Sequence, residues 1–165
     1  MASTNNYRVG KGKVYFKRAG ATDYRDLGNA PTVEFTPEIE KLEHTSSREG
    51  VKSVDRTIVL SKKGTLRIVL EEWDRDNIAL ALLDDAYTGT GAIEIFGGNS
   101  VQGEVLIVDS NEVGTKYEWL FKNVEFIPAA ALNLISDEWG QIEVEGTVQV
   151  DGTGSFGTVT EIVVT

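Results

Sequence analysis

The segment QIEVEGTVQV, from Gln141 to Val150, alternates without a fault. Ile142, Val144, Val148 and Val150 fall on one side, with Gln141, Glu143, Glu145, Thr147 and Gln149 on the other. Successive side chains of a strand point to opposite faces, so this stretch reads as a β-strand with one face in a core and the other in water. Working outward, Thr32 to Leu42 follows the same rule. Val33, Phe35 and Ile39 share one face, while Glu34, Thr36, Glu38 and Glu40 share the other. Pro37 lies on the apolar face and cannot donate a ladder hydrogen bond, which predicts a bulge or a position with an unpaired N–H side. Tyr117, Trp119 and Phe121 are odd-numbered, whereas Val124 and Phe126 are even-numbered. The change of parity near Lys122-Asn123 predicts a β-bulge or sharp bend.

Other segments add to this pattern. Val101 to Asp109 is apolar on both faces and predicts a strand covered on both sides. Shorter strands are expected at Lys13–Arg18, Tyr24–Leu27, Ala92–Phe96, Ala131–Ile135 and Thr158–Val164. Thr57–Leu60 and Thr65–Leu70 also read as strand, broken by Lys62-Lys63-Gly64. Residues 44–56 (HTSSREGVKSVDR) lack periodicity and predict a long loop. One helix is expected over about 74–83. Asp74 or Asp76 suits its N-cap, and Ile78 with Leu82 and Ala79 with Leu83 form an apolar stripe at i, i+4. The fold class is therefore mainly β: an antiparallel sandwich or barrel-like domain with one flanking helix and one long loop. Residues 1–165 form a single domain, with a loose N-terminal arm over 1–9 and a Gly-rich C-terminal segment over 151–165.

Composition bounds the chemistry. The 165 residues include 0 cysteines and one histidine, His44. That removes disulfides, thiol catalysis, cysteine-based metal clusters and most histidine chemistry. The net charge of −10 argues against a surface that grips nucleic acid or an anionic membrane. The charge is uneven: residues 1–70 carry 13 basic and 8 acidic side chains, and residues 71–165 carry 3 basic and 18 acidic ones. This polarity suits the basic surface of one copy meeting the acidic surface of another. The N-terminal MASTNNYRVG is polar and predicts no secretory leader, and the longest apolar run, Ile78–Leu83, is too short to span a bilayer.

No motif supplies a reaction. Glu71-Glu72, Asp84-Asp85 and Asp137-Glu138 are sequence neighbours, which point apart in a strand. Asp74-Arg75-Asp76-Asn77 opens like a calcium loop but has Ile78 at the third ligand position. The Gly-rich stretches match neither a phosphate loop nor a dinucleotide fingerprint. The expectation is a non-enzyme without a cofactor or metal. Acidic faces at Glu34, Glu38, Glu40, Glu143 and Glu145 could line the interior of a ring, where repulsion keeps DNA phosphates off the wall.

In order along residues 9–150, several segments resemble the tail tube (major tail) protein family of long-tailed bacteriophages. They are Gly10-Lys-Gly-Lys-Val-Tyr-Phe16, Leu27-Gly28-Asn29, Thr32-Val-Glu-Phe-Thr36 and Leu42-Glu43-His44-Thr45-Ser46-Ser47, followed by the charged loop to Asp55. Asp76-Asn77-Ile78-Ala79-Leu80, Asn123-Val-Glu-Phe-Ile-Pro128, Ile135-Ser-Asp-Glu-Trp139 and Glu145-Gly-Thr-Val-Gln-Val-Asp151 continue the series. Residues 152–165 show no such match.

The resemblance implies a virion protein, made in the host cytoplasm, that forms hexameric rings stacked as the tail tube. The ring's strands would join into one inner barrel through which DNA passes without specific binding. Implied partners are further copies, the tape-measure protein, the tail terminator and tail-tip proteins, with no membrane anchor. Residues 44–56 would reach neighbouring subunits, through Arg48, Glu49, Lys52, Asp55 and Arg56. A contractile injection or bacteriocin tube protein would share this fold. A β-sandwich carbohydrate-binding module is the competing reading, with Trp73, Trp119 and Trp139 as candidate stacking platforms.

Overall fold

The computed structural model describes residues 4–48 and 50–163. Eight strands and one α-helix follow each other as β1 (Gly12–Arg18), β2 (Arg25–Asp26), β3 (Thr32–Ser46), β4 (Ser53–Leu70), α1 (Arg75–Ala81), β5 (Val101–Asp109), β6 (Tyr117–Pro128), β7 (Ile142–Val148) and β8 (Gly157–Glu161). All strands belong to one antiparallel sheet, ordered β2-β1-β5-β6-β7-β4-β3, with β8 paired to β6. The sheet curls without closing into a barrel. Its curvature brings Phe35 of edge strand β3 to within 5.0 Å, ring to ring, of Phe121 in β6.

The period-two readings locate the core. Ile142, Val144 and Val148 of β7 are buried, with Glu143, Glu145 and Thr147 on the opposite side. They pack with Val14 and Phe16 of β1, Leu66, Ile68 and Leu70 of β4, and Val124 and Phe126 of β6. The rings of Phe16 and Phe126 meet edge to face at 5.4 Å. Val150 lies past the end of β7 and is exposed. Gly146 faces inward against Val124 and Phe126, so a Cβ there would collide with both side chains. Helix α1 closes one end of the core through Ala79, Leu80 and Ala81, and Asp74 caps it by accepting from the Asn77 N–H.

The parity change in β6 is a bulge. Gly103 pairs Val124 and Val105 pairs Phe121, so Lys122 and Asn123 together oppose Glu104. The bulge also divides the far edge of β6. Residues 117–121 pair with β8, and residues 124–128 pair with β7.

Several expectations are corrected. The long loop over 44–56 is mostly strand: β3 runs to Ser46, β4 begins at Ser53, and only residues 47–52 reverse the chain. Register shifts at Glu40/Lys41 and His44/Thr45 break the alternation that would have revealed it. β4 is not interrupted at Lys62-Lys63-Gly64, because Gly64 sits under the Phe35 ring and Lys63 pairs with Glu38 across the ladder. Ala92–Phe96 is not a strand. It folds back on the end of α1, with the Phe96 N–H donating to the Leu82 carbonyl. Ala131–Ile135 is part of an irregular connection. Within the expected Thr158–Val164 strand, pairing ends at Glu161, and Val164 lies outside the described residues.

Candidate assembly surface

Beyond Gly64, β4 has no partner but β3, because β7 ends at Val148 opposite Gly64. Residues 37–46 and 53–63 therefore form a two-stranded arm that leaves the body of the protein. Its side chains are exposed except for the half-buried Ser46. Two-stranded ribbons are marginal on their own in water. This one also carries apolar side chains facing solvent, among them Ile39 at 56% and Leu42 at 54% exposure. Leu42 pairs directly with Ile58, and Lys41 with Val59. Alternation places Leu42 and Lys41 on opposite faces, so neither face of the arm is purely polar.

The expected inter-subunit residues lie at the end of this arm. Arg48 and Lys52 are in its exposed reversal, and the Arg48 N–H donates to Ser46 Oγ at 3.5 Å. Asp55 is the extra residue of the second bulge, and its Oδ1 lies 2.6 Å from His44 Nδ1. Arg56 pairs opposite His44 and is exposed. Glu49 lies outside the described residues.

The five proposed lumen acids share the outer face of β3 and β7. They are not an unbroken negative wall. Arg67 of β4 projects between the two strands. It donates from Nη1 to Glu34 Oε2 at 3.0 Å, and from Nε and Nη2 to the Glu143 carboxylate at 2.6 and 2.9 Å. These hydrogen bonds hold the Glu143 carboxyl below its usual range and the Arg67 guanidinium above its own. Glu38 pairs with Lys63 at 2.9 Å, Glu40 accepts from Ser61 Oγ, and Glu145 lies opposite Arg67 in the β4–β7 register.

A second exposed apolar surface escaped the sequence reading. In the β6–β7 connection, Leu134 is 79%, Ile135 98% and Trp139 96% exposed. Asp137 and Glu138 stand between them. Trp73 and Trp119 pack against the core, so the three tryptophans do not make one stacking surface. Among the described residues, no group of three or more His, Asp or Glu side chains is placed to hold a metal ion. Among the described residues, no helix is long and apolar enough to cross a membrane.

The curled sheet with its projecting arm has a structural counterpart. A subunit of the anti-feeding prophage baseplate, seen in a six-fold symmetrised cryo-EM structure, matches with a TM-score of 0.54. The match covers 98% of this chain and 97% of that one at 10% identity, so it shows a shared fold. The chain belongs to the family described as protein of unknown function UCP028589, whose model matches residues 7–106. No curated protein matches it.

Proposed function

We propose that this chain is a structural subunit of a phage-tail-like particle, and that it self-assembles into hexameric rings stacked as a tube that conducts DNA. The observation that carries this reading is the uncovered β3–β4 arm. A ribbon with apolar side chains on both faces reaches its stable state only when another molecule covers it. Covering one Leu, Ile or Val yields about 1.5–3 kcal/mol, so a few such contacts offset the cost of association. The fold shared with a subunit of a six-fold particle supports both the assembly role and the ring number. The outer acids Glu34, Glu38, Glu40, Glu143 and Glu145 would face the bore, with Arg67 fixing two of them. The tape-measure, terminator and tip proteins would be its tail partners. The chain performs no catalysis and takes no cofactor in this role.

Negative-stain microscopy of the concentrated protein tests this: rings or tubes are expected. Particles that stay monomeric at every concentration and shift on glycan titration would instead select the carbohydrate-binding module. A tube protein of a contractile injection or bacteriocin system is the second reading, favoured by the baseplate origin of the structural neighbour. Sheath subunits decorating the tubes in host lysate would select it.

A further inference from the structure

The arm and the β6–β7 connection lie at opposite ends of one strand. β4 starts at the arm with Ser53 and ends at Leu70, where it pairs with Ile142, the first residue of β7. The connection ends immediately before Ile142 and is fastened there. Gly140 packs against the Trp73 ring, and Gln141 Nε2 donates to Glu71 Oε1. From Leu70 to Ile58 is twelve residues of strand, or about 40 Å at about 3.3 Å per residue. The distal arm therefore lies far along the strand from the connection of the same copy.

The two surfaces are nevertheless complementary. Both expose large apolar side chains: Ile39, Leu42 and Ile58 on the arm, Leu134, Ile135 and Trp139 on the connection. Their charges differ. The arm, residues 37–63, carries six basic side chains (Lys41, Arg48, Lys52, Arg56, Lys62 and Lys63) and five acidic ones (Glu38, Glu40, Glu43, Glu49 and Asp55), with Lys63 paired to Glu38 and Asp55 to His44, whereas Asp137 and Glu138 are the charges of the connection and no basic residue follows Lys122 in the sequence. The connection also presents a defined turn: Ser136 Oγ donates to the Glu138 carbonyl at 3.1 Å and accepts from the Glu138 N–H at 3.3 Å. A nearly fully exposed tryptophan preceded by two acids, facing a ribbon that exposes both apolar and basic side chains, has the makeup of an interface anchor.

We propose that residues 134–139 of one copy seat on the β3–β4 arm of the next, and that this contact runs along the strand axis and joins successive rings. It rests on the tube reading and names the partner surface for the arm. The contact is head to tail, so it propagates from copy to copy unless the rotation between them closes it into a ring. Trp139 fills the apolar part of the arm, while Asp137 and Glu138 meet Arg48, Lys52 and Arg56.

The absence of cysteine in the chain makes a direct test possible. Val51→Cys at the arm tip and Ile135→Cys on the connection are both at exposed positions. Oxidation of assemblies carrying both substitutions is expected to give a ladder of covalent multimers on a non-reducing gel, and either substitution alone is expected to give none. Tubes that form but yield no ladder would overturn this contact and leave the tube reading standing. Unaltered protein that forms neither rings nor tubes would end both.

Charge exchange gives an independent readout. The variant D137K/E138K is expected to form rings without tubes, and R48E/K52E/R56E to do the same. Combining the two sets restores tubes. Failure of the combination to restore them would overturn the pairing. Monomers in place of rings would move the contact inside a ring and overturn the axial assignment. Trp139→Ala is expected to raise the concentration needed for tubes by about tenfold or more.

Discussion

Asn77 shows how one buried amide can hold a junction together. It is fully buried at the start of α1. Its Nδ2 donates to the carbonyls of Leu27 and Glu72, both at 3.0 Å, and its Oδ1 accepts from Arg25 Nη1 at 2.8 Å. Two segments are thereby fixed to the helix: the distant β2 segment, through Arg25 and Leu27, and the adjacent loop after β4, through Glu72. Replacing Asn77 with Leu keeps the volume but leaves two carbonyls and a guanidinium N–H without partners. Stability is expected to fall by about 1–3 kcal/mol, since a buried unsatisfied group costs that much. Urea denaturation with an unchanged slope and a lower midpoint would show it, and an unchanged midpoint would contradict it. The Asp74 cap beside it was legible in the sequence, because capping is a local relation between neighbours. The role of Asn77 was not, because its partners come from residues about fifty positions upstream and from the loop before the helix.

The elements divide in the same way. β7 and the bulge in β6 could both be read from alternation, since each lies against a core that enforces period two, whereas of the apolar face of β3 only Val33 packs on that core. The distal arm has no core, and it also carries two register shifts, so nothing there imposes a visible period. A loop was the natural reading of His44–Arg56, although most of it is strand. The proposed inter-subunit residues Arg48, Lys52, Asp55 and Arg56 thus sit at the end of a ribbon rather than along a free loop. The exposed Leu134 and Ile135 were misread differently, whereas Trp139 stands among the candidate stacking platforms. Apolar residues in a strand-forming composition suggest burial, and sequence does not distinguish a core contact from one awaiting a partner. The arm's dynamics follow from its isolation. In the unassembled protein, backbone amides of residues 38–46 and 53–62 are expected to exchange faster than those of β5 and β7, which have pairing partners on both sides. On assembly the arm amides should become protected while the core changes little. Equal protection of arm and core in the monomer would show that the arm is already stabilised within one copy.

At the scale of the whole molecule, the polarity of charge becomes a polarity of shape. The arm holds six of the 13 basic side chains before residue 71 together with five acidic ones, and the acidic excess after it includes the β6–β7 connection at the other end of β4. Like units arranged head to tail bring unlike charges together at each junction, and their attraction is screened over about 10 Å at 0.1 M salt. The apolar part of the same junction is not screened in this way. Raising sodium chloride from about 0.05 M to about 1 M, where the screening length falls to about 3 Å, should therefore shorten tubes without unfolding the subunit. Sedimentation in parallel with far-ultraviolet circular dichroism separates those two effects. The R48E/K52E/R56E variant should keep its fold and form no tubes at either salt concentration. Tube formation that is indifferent to salt in the unaltered protein would mean that apolar contact alone drives stacking, and that the uneven charge has no part in assembly.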